Sequence, residues 1–126
     1  MAYPIKELPL LPPERALKVI GGRWKTTILH YLIRGPTRLS ELKRLVSGVS
    51  QKVLIQALRE MEEHGIVHRE VFREVPPRVE YTATKLGRSL HPVLVALCEW
   101  GRKHAAELKG LDLPVDCAEP PPAGSQ

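Results

Sequence analysis

SGVSQKVLIQALREMEEHGIVHREVFREVPPRVEY, residues 47–81, decides how the rest of this chain reads. It divides into a turn, a helix of about four turns, a glycine stop and a two-stranded ribbon. Ser50 suits the N-cap, where a hydroxyl accepts from an unpaired N–H of the first turn, and Gly65 suits the position just past the end. Val53, Leu54, Ala57, Leu58 and Met61 recur at helical spacing, which predicts one buried stripe. At about 100° per residue the opposite face centres on Lys52, Gln56 and Arg59, with Ile55 and Glu63 beside them. Arginine and lysine can bond guanine edges and glutamine can bond adenine, so this face suits a DNA major groove. The same residue types also make an ordinary solvated surface. The helix alone does not decide.

The ribbon does. Residues 66–75 are rich in β-branched side chains, Pro76-Pro77 interrupts them, and Val79, Tyr81 and Ala83 then alternate. Neither proline can donate to a ladder, so the pair belongs at the tip of a hairpin, flanked by Arg73 and Arg78. A short capped helix followed by a hairpin with cations at its tip predicts a winged helix-turn-helix, mainly α in an α+β fold. Its helix enters the groove, and its wing reaches phosphates or the minor groove.

A length of 126 residues gives one domain with a modest core. No apolar run approaches the roughly 18 residues of a membrane span, so no membrane partner is expected. Residues 1–14 lack the basic start and apolar centre of a signal peptide, which predicts a cytoplasmic protein. All 19 Lys and Arg fall within residues 1–109 together with 11 of the 14 acids, a surplus of eight positive charges there. Such a surplus favours polyanionic partners, and it also simply aids solubility.

Residues 1–12 carry Pro4, Pro9 and Pro12 and read as an extended arm leading to a domain over 13–109. Pro13 suits the first position of a helix whose Ala16, Leu17, Val19 and Ile20 supply a buried side, and Gly21-Gly22 ends it. A second helix begins near Trp24, turns Ile28, Leu29, Leu32 and Ile33 inward and stops at Gly35-Pro36. Lys25, Thr26 and Thr27 lie in its first turn, where unpaired N–H groups welcome a phosphate. A third spans about 38–46 with Leu39, Leu42 and Leu45 apolar, and a glycine-containing turn leads to the capped helix. Beyond the ribbon, Thr84 can cap a last helix to about Lys109 that Pro92 kinks or splits. Apolar residues cover roughly 160° of its circumference, more than one-sided packing requires, which predicts a second subunit against it. Residues 110–126, rich in proline and small residues, read as a disordered tail.

IGGRWKTTIL (20–29), GPTRLSELKR (35–44), SGVSQKVLIQALREMEEHGIV (47–67), VPPRVEYTATKLG (75–87) and LHPVLVALCEWG (90–101) together resemble HxlR-type transcriptional regulators, relatives of the MarR group. The resemblance spans about residues 12–104, in order and at matching spacing. It implies a homodimeric winged-helix protein that binds double-stranded DNA, with residues 50–64 in the major groove and 75–78 as the wing. It also implies a dimer interface made by the first and last helices. On this sequence that interface comprises Leu17, Ile20, Leu90, Val93, Leu94, Leu97, Trp100, Gly101 and His104.

One departure matters. Several members of the family sense oxidants or electrophiles through a Cys-Pro pair just before the first helix, and Leu11-Pro12 stands there instead. Leucine offers no thiolate. Cys98 reads as a buried small hydrophobe and Cys117 as exposed in the tail; their separation gives no metal or disulfide spacing. The five histidines lack metal-site clustering, and His64 and His68 simply flank the glycine stop. Glu60 and Glu63 are expected to meet cations across a helix turn. Trp24 and Trp100 read as core and interface packing rather than the lining of a ligand cavity. No phosphate loop, nucleophile elbow or dinucleotide fingerprint occurs, so neither a cofactor nor an enzyme is expected.

The leading expectation is a dimeric regulator reading an inverted repeat. Lys52, Gln56 and Arg59, with Ser50 and Gln51, contact bases or adjacent phosphates; Arg73 and Arg78 secure the wing; Arg38, Lys25 and Thr27 contact the backbone. Two other readings stay open. One is a winged-helix module that docks on protein, and the other is a sensor in which a small-molecule effector fills a dimer-interface pocket.

Overall fold

The computed structural model describes residues 11–108. The expected arm over 1–12 and tail over 110–126 lie almost wholly outside that range, as does Cys117. Helix α1 (Pro12–Ile20) leads to α2 (Lys25–Ile33), a two-residue strand β1 (Thr37–Arg38) and α3 (Leu39–Leu45). Then come α4 (Gln51–Glu63), β2 (Val67–Phe72), β3 (Arg78–Ala83), α5 (Lys85–Arg88), α6 (His91–Lys103) and α7 (Ala105–Leu108).

α2 is the centre of the core. Ile28, Leu29, Leu32 and Ile33 are all buried, and they meet Leu42 of α3, the stripe Leu54, Ala57, Leu58 and Met61 of α4, and Leu94 of α6. Tyr81 and Ala83 of β3 close this core from the sheet side. Its four buried residues cover a broad arc because the helix is packed against several elements at once.

The sheet is antiparallel in the order β1-β3-β2. β1 was not anticipated: two residues after Gly35-Pro36 are too short to show a period, and only pairing of Thr37 with Tyr81 and Arg38 with Glu80 makes them a strand. In the hairpin, Val67 faces Ala83, Arg69 faces Tyr81 and Val71 faces Val79. Alternation therefore puts these six residues on the face that turns toward α4. Phe72 and Arg78 form the last pair, so residues 73–77 make the loop, with both prolines in it as expected.

Several sequence-based boundaries shift. α1 starts at Pro12 rather than Pro13, and of its expected buried side only Ile20 is buried; Leu17 stays 62% exposed. The last helix is three pieces. Thr84 caps only α5, accepting from the Gly87 N–H at 3.0 Å and donating to the Gly65 carbonyl at 2.7 Å. Pro92 then stands in the first turn of α6, so it begins a helix rather than kinking one. Arg88 donates to the Ile33 carbonyl at 2.9 Å and ties α5 to the C-terminal end of α2.

Candidate nucleic-acid interface

The pair α3 and α4 is joined by a turn in which Gly48 takes φ +93°, a left-handed conformation that a side chain resists. Ser50 caps α4 by accepting from the Val53 N–H at 3.2 Å, and Gly65 follows its end at φ +79°. Both ends of this helix are thus fixed by the residues expected to fix them. Gln51, Lys52, Gln56 and Arg59 are all exposed on it, opposite the fully buried Leu54, Leu58 and Met61. Val53 departs from the expected buried stripe: it is 43% exposed and joins the outward side in the first turn. An apolar side chain there is suited to the methyl group of thymine.

The wing is braced rather than loose. Arg78 bonds Glu74 at 2.7 Å and also Glu80, and its guanidinium lies 3.9 Å from the centre of the Phe72 ring. The Glu74 carboxylate, ahead of Glu80, holds Arg78 even more firmly in its charged form. These contacts hold the Arg78 guanidinium within the hairpin and close the loop from Phe72 across to Glu80. Arg73 is exposed at the start of the loop, as expected.

Two other expected backbone contacts are placed elsewhere. The Lys25 side chain is only 12% exposed, and its Nζ pairs with Glu60 Oε1 at 2.6 Å. It joins α2 to α4 from within, so Glu60 meets a cation of another helix. Thr27, two residues on and about 200° round α2, lines a groove of about 330 Å³ against α6, away from α4. Arg38 remains exposed at the start of α3. Arg69 went unnoticed in the sequence. It stands on the α4-facing side of β2 and shares a concave space with Arg59. The alternation of Val67, Arg69 and Val71 carried that information, but it was masked by the exposed positions between them.

A second surface is apolar. α6 buries only Leu94, while Val93, Leu97 and Trp100 (59%) are exposed at spacings of four and three, with His104 next in the series. The Trp100 and His104 rings lie 4.9 Å apart. Trp24 instead packs on the core beneath Arg23. Cys98 is half-buried at the α2–α6 groove and is disulfide-bonded, so its thiol is not free; this corrects its reading as a simple buried hydrophobe outside any disulfide. Among the described residues no group of three His, Cys, Asp or Glu is placed to hold a metal ion, and no helix is long and apolar enough to cross a membrane.

With this geometry in place, comparison with known proteins is decisive. The model of the HxlR-like helix-turn-helix family matches residues 19–109. The chain belongs to that family. It is 51% identical over 94 residues, 75% of this chain and 80% of the relative, to YkvN, an HTH-type transcriptional regulator of Bacillus subtilis (strain 168). Among solved structures, the redox regulator HypR in its reduced form superposes with a TM-score of 0.74 at 42% identity, covering 79% of this chain and 98% of HypR. A MarR-family regulator of Enterococcus faecalis V583 superposes at 0.64 with 47% identity, covering 75% and 86%. This HxlR-like chain is therefore a winged-helix transcriptional regulator by family, not a member of an enzyme class.

Proposed function

We propose that this HxlR-like protein is a homodimer that binds an inverted-repeat operator through α4 and the wing. One observation carries the reading: a helix capped at both ends exposes Gln51, Lys52 and Gln56 on one side while its other side is wholly buried beside a braced hairpin. Rigid presentation of amide and cationic groups is what base-edge recognition requires. Gln51, Lys52 and Gln56 face bases, and Ser50 sits with the helix N-terminus at a phosphate. Arg73 and Arg38 add backbone contacts. The exposed apolar stripe of α6, with Leu17 of α1, is the surface a second copy covers. Two-fold symmetry then sets half-sites about 10 bp apart or a multiple of a turn.

Leu11 occupies the exposed N-cap of α1, where several family members carry a sensing cysteine, so thiol chemistry at that position does not control this protein. A ligand-responsive variant of the same reading is favoured by the 330 Å³ groove between α2 and α6, bordered by His30, Tyr31 and His91. A small-molecule effector bound there raises the melting temperature in a thermal-shift screen, since it favours the folded state.

The test is fluorescence anisotropy on a duplex carrying the gene's own upstream region, against a random duplex, at three salt concentrations. Preference for the upstream duplex, falling steeply with salt, is expected. Absence of binding to either at low salt would replace this reading with a protein-docking module.

A further inference from the structure

The outward face of α4 is not uniform. Counting about 100° per residue, Lys52 points straight out, Gln56 leans to one side, and Arg59, Ile55 and Glu62 lean progressively further to the other. On that side lies the sheet. Ile55, Arg59 and Glu62 border a cleft of about 360 Å³ whose far wall is Arg69, Val79 and Tyr81 of the hairpin. Arg69 reaches it because its register partner is the buried Tyr81, so both side chains take the sheet face that turns toward α4.

The cations of the domain differ in how far they are committed. Lys25 is paired with Glu60, Arg44 with Glu41, and Arg78 with Glu74 and Glu80. Arg59 and Arg69 are exposed, and neither forms an ion pair with a described residue. Two uncommitted guanidinium groups therefore face one concavity from two different elements, with the single carboxylate of Glu62 at its rim. Ile55, Val79 and Tyr81 give the cleft low-dielectric walls, which focus the field of the two exposed guanidinium groups.

We infer that this cleft is a phosphodiester site, in which Arg69, assisted by Arg59, holds the DNA backbone where it passes from the groove occupied by α4 to the wing. A guanidinium presents a planar fork that matches a phosphate, which favours arginine over lysine on both walls. The inference rests on the DNA-binding reading above and reassigns Arg59 from base edge to backbone. Arg69 thus adds affinity without sequence preference, because a phosphate is the same at every step.

The test measures binding of the full chain and of Arg69→Ala and Arg69→Gln to the upstream and random duplexes between 50 and 200 mM salt. Arg69→Gln keeps part of the aliphatic stem beside Tyr81 and guards against a packing defect. Both variants should lose a similar factor on the two duplexes, leaving the specificity ratio unchanged, and the salt slope should fall by about one. Over that fourfold salt range the parent then loses about 3.5-fold more affinity than the variant. Arg59→Ala should behave alike, and Glu62→Gln should tighten both duplexes. Unchanged affinity and slope in the Arg69 variants, or a loss confined to the upstream duplex, would overturn the phosphate site while leaving the DNA-binding reading intact. A parent that binds neither duplex overturns both.

Discussion

The two exposed faces of this domain are unlike in what they leave to solvent. α4 buries every apolar residue of its stripe except Val53 and shows water an amide, a lysine and an arginine. α6 buries Leu94 alone and shows water Val93, Leu97 and Trp100. The first is a finished surface, stable without a partner yet chemically equipped for one. The second is unfinished, because three large side chains left 41–59% exposed forgo part of the roughly 1.5–3 kcal/mol that full burial of each contributes. A polar face can wait for its partner, but an apolar one needs it for solubility. On the proposed reading, recognition and assembly fall to two different helices.

The sharpest way to break the contrast is to charge the unfinished face. Leu97→Asp places a carboxylate in the middle of the stripe, and sedimentation should show dissociation of the dimer, with loss of binding to the inverted repeat as a consequence. A chain that sediments alike with and without the change would mean that α6 meets nothing. On the other helix, Leu58→Ala removes a fully buried side chain and should cost about 2–5 kcal/mol in chemical denaturation, whatever DNA is present. Its outward neighbour Gln56→Ala should leave denaturation unchanged and cost about 1–3 kcal/mol on operator only. The pair of results measures how cleanly folding and recognition are separated on one helix.

Much of the α4 face was legible because two local rules agree there. Ser50 and Gly65 mark the ends by their own backbone chemistry, and the 3.6-residue period marks the sides. The prolines similarly fixed the hairpin tip, since neither could sit in a ladder. What stayed hidden depends on pairing between distant elements. Lys25 looked like a phosphate ligand in a helix first turn until α4 brought Glu60 to within 2.6 Å of it. Arg69 was overlooked because a charged residue on the core-facing side of a strand breaks the expected alternation. A sequence shows which residues are cationic, but the number of charges left over for a ligand is settled only when the acids are placed. The cap itself gives a smaller test: Ser50→Ala should cost about 1 kcal/mol, read by denaturation, because the Val53 N–H loses its acceptor.

The smallest effect lies on α3, where Glu41 and Arg44 pair at the surface one turn apart. The hydrogen bond from Arg44 holds the Glu41 carboxyl below its ordinary value of 4.5, outweighing the opposing effect of desolvation, and the coulombic attraction of the same guanidinium adds a smaller lowering. A carboxyl whose folded value is depressed binds its proton more readily in the unfolded chain. Its contribution to stability is therefore present above the ordinary value and disappears as pH falls through the folded one. Carbon-detected NMR titration should find Glu41 titrating below its ordinary value, and Arg44→Gln should return it to the ordinary range. Both groups are solvated, so denaturation curves of Arg44→Gln and the parent should nearly coincide at neutral pH. If the substitution instead lowers stability substantially at pH 7, the α3 surface carries a structural load that its exposure does not suggest. The contrast between a finished and an unfinished face would then have to be redrawn at the helix that precedes α4.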